Sequence, residues 1–155
     1  TGCYNVANGY RTLFSNTTSS YNTSIGYQSL YNNNGGTNNT AIGDNTLICN
    51  IIGTYNVAIG SNAGYQATGS TNIFIGRCAG YSETGSSRLH IANCASCTLI
   101  CGDFINKSVK IDCNLQVCRD VQSLTNGGGF ITCSPDGTKY CIYVANGGTL
   151  CICAV

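Results

Sequence analysis

Charged residues are scarce in this sequence. Lys, Arg, Asp and Glu make up 8% of its 155 residues, and the formal net charge is +1. Ordinary soluble domains carry roughly a quarter of such residues, and nucleic-acid-binding proteins and polybasic membrane-surface segments need clustered positive charge. No basic or acidic run is present, so the composition argues against both classes, and we expect no nucleic-acid partner.

Long apolar runs, methionine and histidine are also missing or nearly so. No apolar run approaches the ~20 residues of a membrane span, so we expect no membrane-spanning segment. Methionine is absent even at position 1, which indicates a processed chain or a fragment. His90 is the one histidine, so any Ser-His-Asp or Cys-His catalytic arrangement would depend on it alone.

The few carboxylates do not form a pattern typical of an active site. No two of them share an equivalent position in the repeat of this chain, whereas acid–base catalysis of glycoside hydrolysis needs a pair of them. We therefore expect no enzyme activity, no catalytic residue, no bound cofactor and no metal. The carboxylates are Asp44, Glu83, Asp103, Asp112, Asp120 and Asp136.

Cysteine, by contrast, is abundant. The chain has twelve cysteines. An oxidising exterior would pair them as disulfides, whereas a reducing cytosol would leave thiols that need a metal or a catalytic role. We therefore expect an extracellular protein, at a cell surface, in a secreted filament or on a virion. Asn-x-Ser/Thr sequons, which an Asn-rich chain also produces by chance, begin at Asn16, Asn22, Asn38 and Asn106.

A repeat of about 17 residues covers the first two thirds of the chain, and a fixed period of this kind is the signature of a repeat architecture. A glycine marks each repeat, and Ala92 continues the series. The residues before each glycine alternate in size, and each repeat ends in a polar turn, which is typical of short strands joined by turns. Short strands at a fixed repeat length predict an all-β fold, a parallel β-solenoid. The marker glycines are Gly9, Gly26, Gly43, Gly60 and Gly76.

The alternation also predicts which side chains face the interior. Val57 and Ile59 fall on one side of their strand, and the small residue between them, Ala58, faces the other way. We expect the large side to line the interior, where coils stacked ~4.8 Å apart would form one apolar ladder. Six coils would make a rod of roughly 30 Å. The predicted ladder is Ile25, Ile42, Ile59, Ile75 and Ile91.

The motif Asn-x-Ala-Ile-Gly, at Asn39–Gly43 and Asn56–Gly60, resembles the head repeats of trimeric autotransporter adhesins. It is still more similar to the longer repeats of tail-fibre-like proteins of phages and giant viruses. The resemblance covers residues 4 to about 104, and Asn72–Gly76, Arg88–Ile91 and Leu99–Phe104 are similar to the closing repeats of those arrays. It implies a left-handed parallel β-roll, often trimeric, used for attachment. The units here are longer than the usual adhesin repeat.

Beyond Phe104 the repeat stops. We place the solenoid at residues 1–104, a connector at 105–126 and a three-stranded β-meander at 127–155. Alternating side chains predict one strand at 109–113, and the meander strands are predicted at 130–133, 139–145 and 149–155. The turn sequences Ser-Pro-Asp-Gly and Asn-Gly separate the meander strands. Three strands alone are marginally stable, so we expect the meander to pack on something.

The spacing of the cysteines predicts specific disulfides. Cys78 and Cys94 both lie two residues past the marker position of successive coils, so their Cα atoms should be ~4.8 Å apart, within disulfide range. Cys3 has no equivalent in the other coils and is a candidate for tying adjacent subunits together. In the meander we expect disulfides among Cys133, Cys141, Cys151 and Cys153. The two turns bring Cys141 near either Cys133 or Cys153. The Cys133–Cys141 and Cys141–Cys153 pairings both stay open.

A metal site is the alternative for one group of cysteines. His90 is followed by Cys94, Cys97 and Cys101, and four such ligands can hold zinc tetrahedrally. The spacing matches no common zinc finger or ribbon, and neighbouring side chains alternate along a strand. We therefore favour disulfides over metal.

Tyrosines recur at two positions of the repeat. One set precedes the motif asparagine, and the other lies five residues past the marker glycine. We expect aromatic ladders that cover the coils, and the alternative is a stacking surface for glycans or a partner. The candidate surface contacts are Tyr21, Tyr31, Tyr55, Tyr65 and Tyr81.

Together these features predict an extracellular structural or adhesive fibre subunit that self-assembles and is stapled by disulfides. Its partner would be itself, as a trimer or as a filament joined end to end, because coil sequence begins almost at residue 1. Glycans or a cell-surface receptor are further candidate partners. The alternatives are a glycan- or ice-binding solenoid and an acyltransferase with a left-handed hexapeptide helix, whose six-residue periodicity is weak here.

Overall fold

The computed structural model describes residues 2–112 and, beyond them, the backbone of three strands at 130–133, 139–144 and 150–154. The chain forms two compact units, Thr1–Leu115 and Gln116–Val155. Every regular element in these described residues is a β-strand. The predicted all-β fold class is confirmed.

The first unit is built on one eight-stranded sheet in chain order. The first six strands pair in parallel, and the last three pair antiparallel, so that β6 belongs to both parts. Successive parallel strands pair residue for residue at the repeat spacing, for example Ala41 with Ala58. This register confirms the predicted β-solenoid. The strands are β1 Val6–Asn8, β2 Thr23–Ile25, β3 Thr40–Ile42, β4 Val57–Ile59, β5 Ile73–Ile75, β6 Arg88–Ala92, β7 Thr98–Asp103 and β8 Ser108–Ile111.

We call residues 6–22, 23–39, 40–56, 57–72 and 73–87 coils 1 to 5. Coils touch each other closely at the marker glycines. At Gly43 the backbone has φ +132°, and a Cβ there would lie 2.7 Å from the carbonyl of Gly60. An L side chain would clash with the next coil and rarely adopts this φ. The marker glycine therefore recurs because neighbouring coils approach each other closely at this position.

A buried ladder of asparagines joins the coils just before each strand. The Asn22 side-chain oxygen accepts the backbone N–H of Asn39 at 2.9 Å, and that of Asn39 accepts the N–H of Asn56 at 2.9 Å. Each side-chain amide also donates to a turn carbonyl, as Asn39 does to Gly53 at 2.9 Å. Buried polar groups are stable only when bonded. This explains why the motif asparagine recurs in every coil.

The predicted interior ladder of isoleucines is wrong, because the strands face the other way. Ala41, Ala58 and Ser24 are completely buried, whereas Ile25 and Ile59 are 38% and 40% exposed. The interior of the coil is narrow. Buried leucines, such as Leu30, already fill most of it from the turn that follows each strand, which we call the turn side. Only a small side chain fits opposite them. The larger residues on either side of it therefore point outward.

Coils 4 and 5 fill the interior with a different residue. Leu13, Leu30 and Leu47 are replaced there by Gly64 and Gly80. The space goes to Phe74, which is completely buried. A Cβ on Gly64 would lie 2.7 Å from the Phe74 ring, and one on Gly80 would lie 2.3 Å from it. The phenylalanine and the two glycines are thus one packing unit.

The second unit contains a three-stranded antiparallel sheet in the order β11-β10-β9. The strands are β9 Phe130–Cys133, β10 Lys139–Val144 and β11 Leu150–Ala154. They confirm the meander predicted from the two turn sequences. The first unit extends to Leu115 and includes β8, which matches the strand predicted at 109–113, so its sheet continues past residue 104.

Candidate functional site: an outward apolar sheet face

The outward side of the eight-stranded sheet carries two continuous rows of mainly aliphatic residues. Residues that pair across neighbouring strands share one face of the sheet, so the register defines both rows. The first row is Val6, Thr23, Thr40, Val57, Ile73, Leu89, Gly102 and Val109. The second row is Asn8, Ile25, Ile42, Ile59, Ile75, Ile91, Ile100 and Ile111. We call these sixteen residues the apolar face.

None of the sixteen residues is buried in the first unit, and none of them is charged. Val6 is 54% exposed, Ile75 40% and Val109 67%. Eight strands at ~4.8 Å span roughly 34 Å, and the two rows lie about 7 Å apart. Scattered exposed aliphatic residues are normal on proteins, but a contiguous apolar surface of this kind marks an interaction site.

Sequence reasoning missed this face because it assigned the isoleucines to the interior. A signal was available in the position between the two large residues. It is small in coils 1 to 4, as Ala7, Ser24, Ala41 and Ala58. A position restricted to small residues indicates a tight interior, whereas the flanking positions accept Asn, Thr, Val and Ile.

Most candidate tyrosines form stacks along the coils. Tyr65 and Tyr81 have ring centroids 4.9 Å apart and planes 5° apart. Tyr21 stacks on Tyr4 at 5.1 Å, and Tyr31 stacks on Phe14 at 5.1 Å. Tyr55 is 61% exposed. The predicted aromatic ladders are present as stacked pairs.

The stacking decides what these rings offer to solvent. Parallel rings at this spacing turn their faces toward each other and their edges outward. A sugar can stack on the face of an aromatic ring, and within each pair one face of each ring is occupied by the other ring. The stacks therefore cover the coils and leave one face of each ring outside the pair.

The ionic groups gather where the solenoid ends. His90 Nε2 lies 3.1 Å from a carboxylate oxygen of Glu83, and Arg88 pairs with Asp103. Partial burial opposes ionisation of Glu83, but hydrogen bonds from the Gly85 N–H and His90, with the charges of His90 and Arg88, hold its pKa below the ordinary value. The bonds of Glu83 tie the last turn of coil 5 to strand β6.

The predicted Cys78–Cys94 disulfide is wrong. Cys94 is bonded to Cys97, and Cys78 is a buried thiol. The register shifts at Ala92, where β6 turns back into β7. Cys94 therefore lies in a hairpin turn and not in a sixth coil. The disulfide also uses two of the four sulfur and nitrogen ligands that a zinc site would need.

The other candidate cysteines fall in different places. Cys3 is exposed, and its backbone N–H donates to Ser20 Oγ at 3.0 Å. In the second unit, Cys141 lies directly opposite Cys153, Cys133 opposite Lys139, and Cys151 opposite Tyr143. The predicted register of the second hairpin is confirmed. The structure describes only the backbone of these four cysteines, so their disulfide bonding stays a prediction.

Comparisons with known proteins found no relative of this chain. No family model, no curated protein and no solved structure matches the chain. Among the residues that the structure describes, no helix is of the length and apolarity that crossing a membrane requires. Function must therefore be inferred from the apolar face and the groups around it.

Proposed function

We propose that this chain is a subunit of an extracellular structural or adhesive fibre, and that copies of it associate side by side through the apolar face. The observation that carries the proposal is the face itself, two aliphatic rows across eight strands with no charged residue. Burying such a surface is favourable in proportion to its area. A self-associating subunit would bury it.

The area of the face favours more than two chains. With side chains extending a few ångströms beyond the rows, it covers on the order of 400 Å², in the range of the largest patches on monomers. A standard two-chain interface takes roughly 800 Å² from each partner. Three chains around a common axis bring the flanks of the coils together as well as the faces, so a trimer satisfies this need better than a dimer.

A second copy of the chain fits the face better than an unrelated partner. The rows repeat at strand spacing, and another copy presents the same rows at the same spacing. Copies arranged around a common axis can therefore align their rows along the whole sheet. Because neither apolar face carries a charged residue, association does not bury charges whose desolvation would oppose the contact.

The disulfide supports the extracellular part of the proposal. Cys94 and Cys97 are bonded, and disulfides persist in oxidising compartments. Scarce charge and buried amide ladders are compatible with a rod whose polar surface is made by Asn, Ser, Thr and Tyr. No described feature favours an ice-binding face, since threonine occupies only two of the sixteen positions, Thr23 and Thr40.

The test is a charge placed in the middle of the face. Ile59→Glu should convert the wild-type oligomer to monomer in size-exclusion chromatography with light scattering, because an unpaired buried carboxylate is strongly unfavourable. The circular dichroism spectrum should stay unchanged, since Ile59 is 40% exposed. Negative-stain images would distinguish closed trimers from filaments.

The matched control is Ile52→Glu. Ile52 is 72% exposed, in a turn away from the apolar face, and the same substitution there should leave association intact. A wild-type chain that stays monomeric at millimolar concentration would refute the proposal. So would equal dissociation of the two variants.

A further inference from the structure

The interior column of the solenoid continues beyond the last coil as a row of reactive groups. In the coils this column is Ser24, Ala41, Ala58 and Phe74. Cross-strand pairing extends it from Phe74 to His90, then to Cys101, then to Lys110. These positions lie on the side of the sheet opposite to the apolar face, because neighbouring residues of a strand alternate. A closed apolar interior thus gives way to imidazole, thiol and ammonium groups.

These groups line an open groove of about 320 Å³. Its polar lining consists of Glu83, Arg88, His90, Cys101, Asp103, Ser108 and Lys110. Cys101 is a partly exposed free thiol. Among the described residues it can be compared with Cys49, a partly exposed thiol in coil 3, and with the buried Cys78. Neither of these two lines the groove, so of the three thiols Cys101 is the one that is accessible and flanked by His90 and Lys110.

Two basic side chains flank Cys101 across the sheet. His90 and Lys110 are its direct partners on the two adjacent strands, where facing Cβ atoms are about 4.5–5.5 Å apart. Glu83 holds the His90 imidazole at 3.1 Å. The pKa of Lys110 is raised, first by its hydrogen bond to Asp112 and the charge of that carboxylate, and further by Cys101. A thiolate is the nucleophile in sulfur chemistry, and adjacent cations stabilise it.

We propose that Cys101 is a thiol–disulfide exchange site that accepts small-molecule disulfides. The Cys101 thiolate attacks one sulfur of R–S–S–R, a Cys101–S–S–R bond forms, and the S–S bond of the reagent breaks. The second R–S⁻ leaves with the electron pair and takes a proton from water. No external oxidant is needed, because the small disulfide is reduced as the protein thiol is oxidised.

The size of the site suits small reagents. A groove of about 320 Å³ is at the lower end of the range of small-molecule pockets. Its polar side chains lie on the side of the sheet opposite to the apolar face, whereas Gly102 and Val109, which also line it, belong to that face. The inference rests on the polar side chains and not on the proposed assembly.

The experiment uses the intact chain with a limiting amount of glutathione disulfide. The reaction is quenched with acid at intervals, and the mixed disulfide at each cysteine is measured by mass spectrometry of a non-reduced digest. We expect Cys101 to be modified at least tenfold faster than Cys49. A parallel reaction with cystamine, a cationic disulfide, should show the same preference for Cys101.

Two variants separate the role of the cations from mere exposure. Lys110→Gln and His90→Gln should each slow modification of Cys101 severalfold and leave the rate at Cys49 unchanged. Lys110 lies on the exposed strand β8, so its replacement leaves the fold intact even if the His90 variant is destabilised. A Cys101 rate no greater than that of Cys49, or one unaffected by Lys110→Gln, would overturn the proposal.

Discussion

Coils 1 to 3 and coils 4 and 5 fill the same interior in two ways. In the first group the turn that follows the strand supplies a leucine, and in coils 2 and 3 the strand supplies a small buried residue, as with Leu47 and Ala41 of the same core cluster. In the second group the turn side is glycine, and Phe74 of the strand fills the space from the opposite side. Interior volume is thus conserved while the residue that supplies it changes sides. Core packing tolerates such exchanges when the total volume is kept.

The largest expected effect comes from removing the phenylalanine. Phe74→Ala should lower the free energy of unfolding by about 3–5 kcal/mol, because both neighbouring turn positions are glycine and nothing else fills the cavity. Urea denaturation followed by circular dichroism measures this. Phe104→Ala is the control, since Phe104 is 51% exposed and its loss should cost less than about 0.5 kcal/mol. Equal effects would show that Phe74 is not the packing centre of coils 4 and 5.

The asparagine ladder should matter equally in both groups of coils. Asn39→Ala removes the acceptor for the Asn56 N–H and the donor to the Gly53 carbonyl, and leaving these buried groups unbonded should cost about 2–4 kcal/mol. Asn72→Ala, in coil 4, should cost a similar amount, as it removes the equivalent bonds to Arg88 and Gly85. Chemical denaturation of both variants checks this. If one variant lost more than twice as much stability as the other, the ladder would depend on the interior packing beside it.

Restoring a leucine in coil 4 should fail unless the phenylalanine is removed. Gly64→Leu alone places its Cβ 2.7 Å from the Phe74 ring and 2.8 Å from Leu47, and overpacking of this kind costs about 1–3 kcal/mol. The φ of +60° at Gly64 is not the obstacle, because Leu47 adopts +52° at the equivalent position. Combined with Phe74→Ala, the substitution should be less harmful than the sum of the two single changes. A double-mutant cycle measures this coupling, and strict additivity would contradict the volume argument.

Aromatic stacking should contribute about as much in either group. Tyr65→Ala should cost roughly 1 kcal/mol through loss of the stack with Tyr81, and Tyr21→Ala should cost a similar amount through loss of the stack with Tyr4. Thermal unfolding of the two variants checks the comparison. A much larger loss for Tyr65 would indicate that coils 4 and 5 rely on their surface because their interior is weaker.

The smallest expected effect is an acid dependence confined to the end of coil 5. The pKa of Glu83 is lowered in the folded chain, so its contribution is present above the unfolded pKa and is lost as pH falls through the folded pKa. Glu83→Gln should therefore be less stable than wild type at neutral pH, by less than about 1 kcal/mol, and the gap should close in acid. Urea midpoints at several pH values measure it. The neutral change Ser82→Ala should give a pH-independent offset, and a constant offset for Glu83→Gln would contradict the assignment.

Local patterns were enough to predict the strands. The spacing of the marker glycines located every parallel strand, and the turn sequences located the three strands of the second unit. Repeat spacing and turn chemistry are properties of neighbouring residues, so they are readable without the rest of the molecule. The candidate site was not readable in this way. The same alternation of Val57, Ala58 and Ile59 is compatible with either side facing inward, and periodicity does not distinguish them.

The sequence by itself determined that the chain forms stacked coils with an asparagine and a glycine in each, followed by an antiparallel meander. Tertiary structure decided three further features: the outward direction of the isoleucines, the partner of Cys94, and the exchange of leucine for Phe74. Each of these depends on what fills the space across the coil or where the chain turns back. Those are relations between distant residues, and the buried leucines and the hairpin after Ala92 set them.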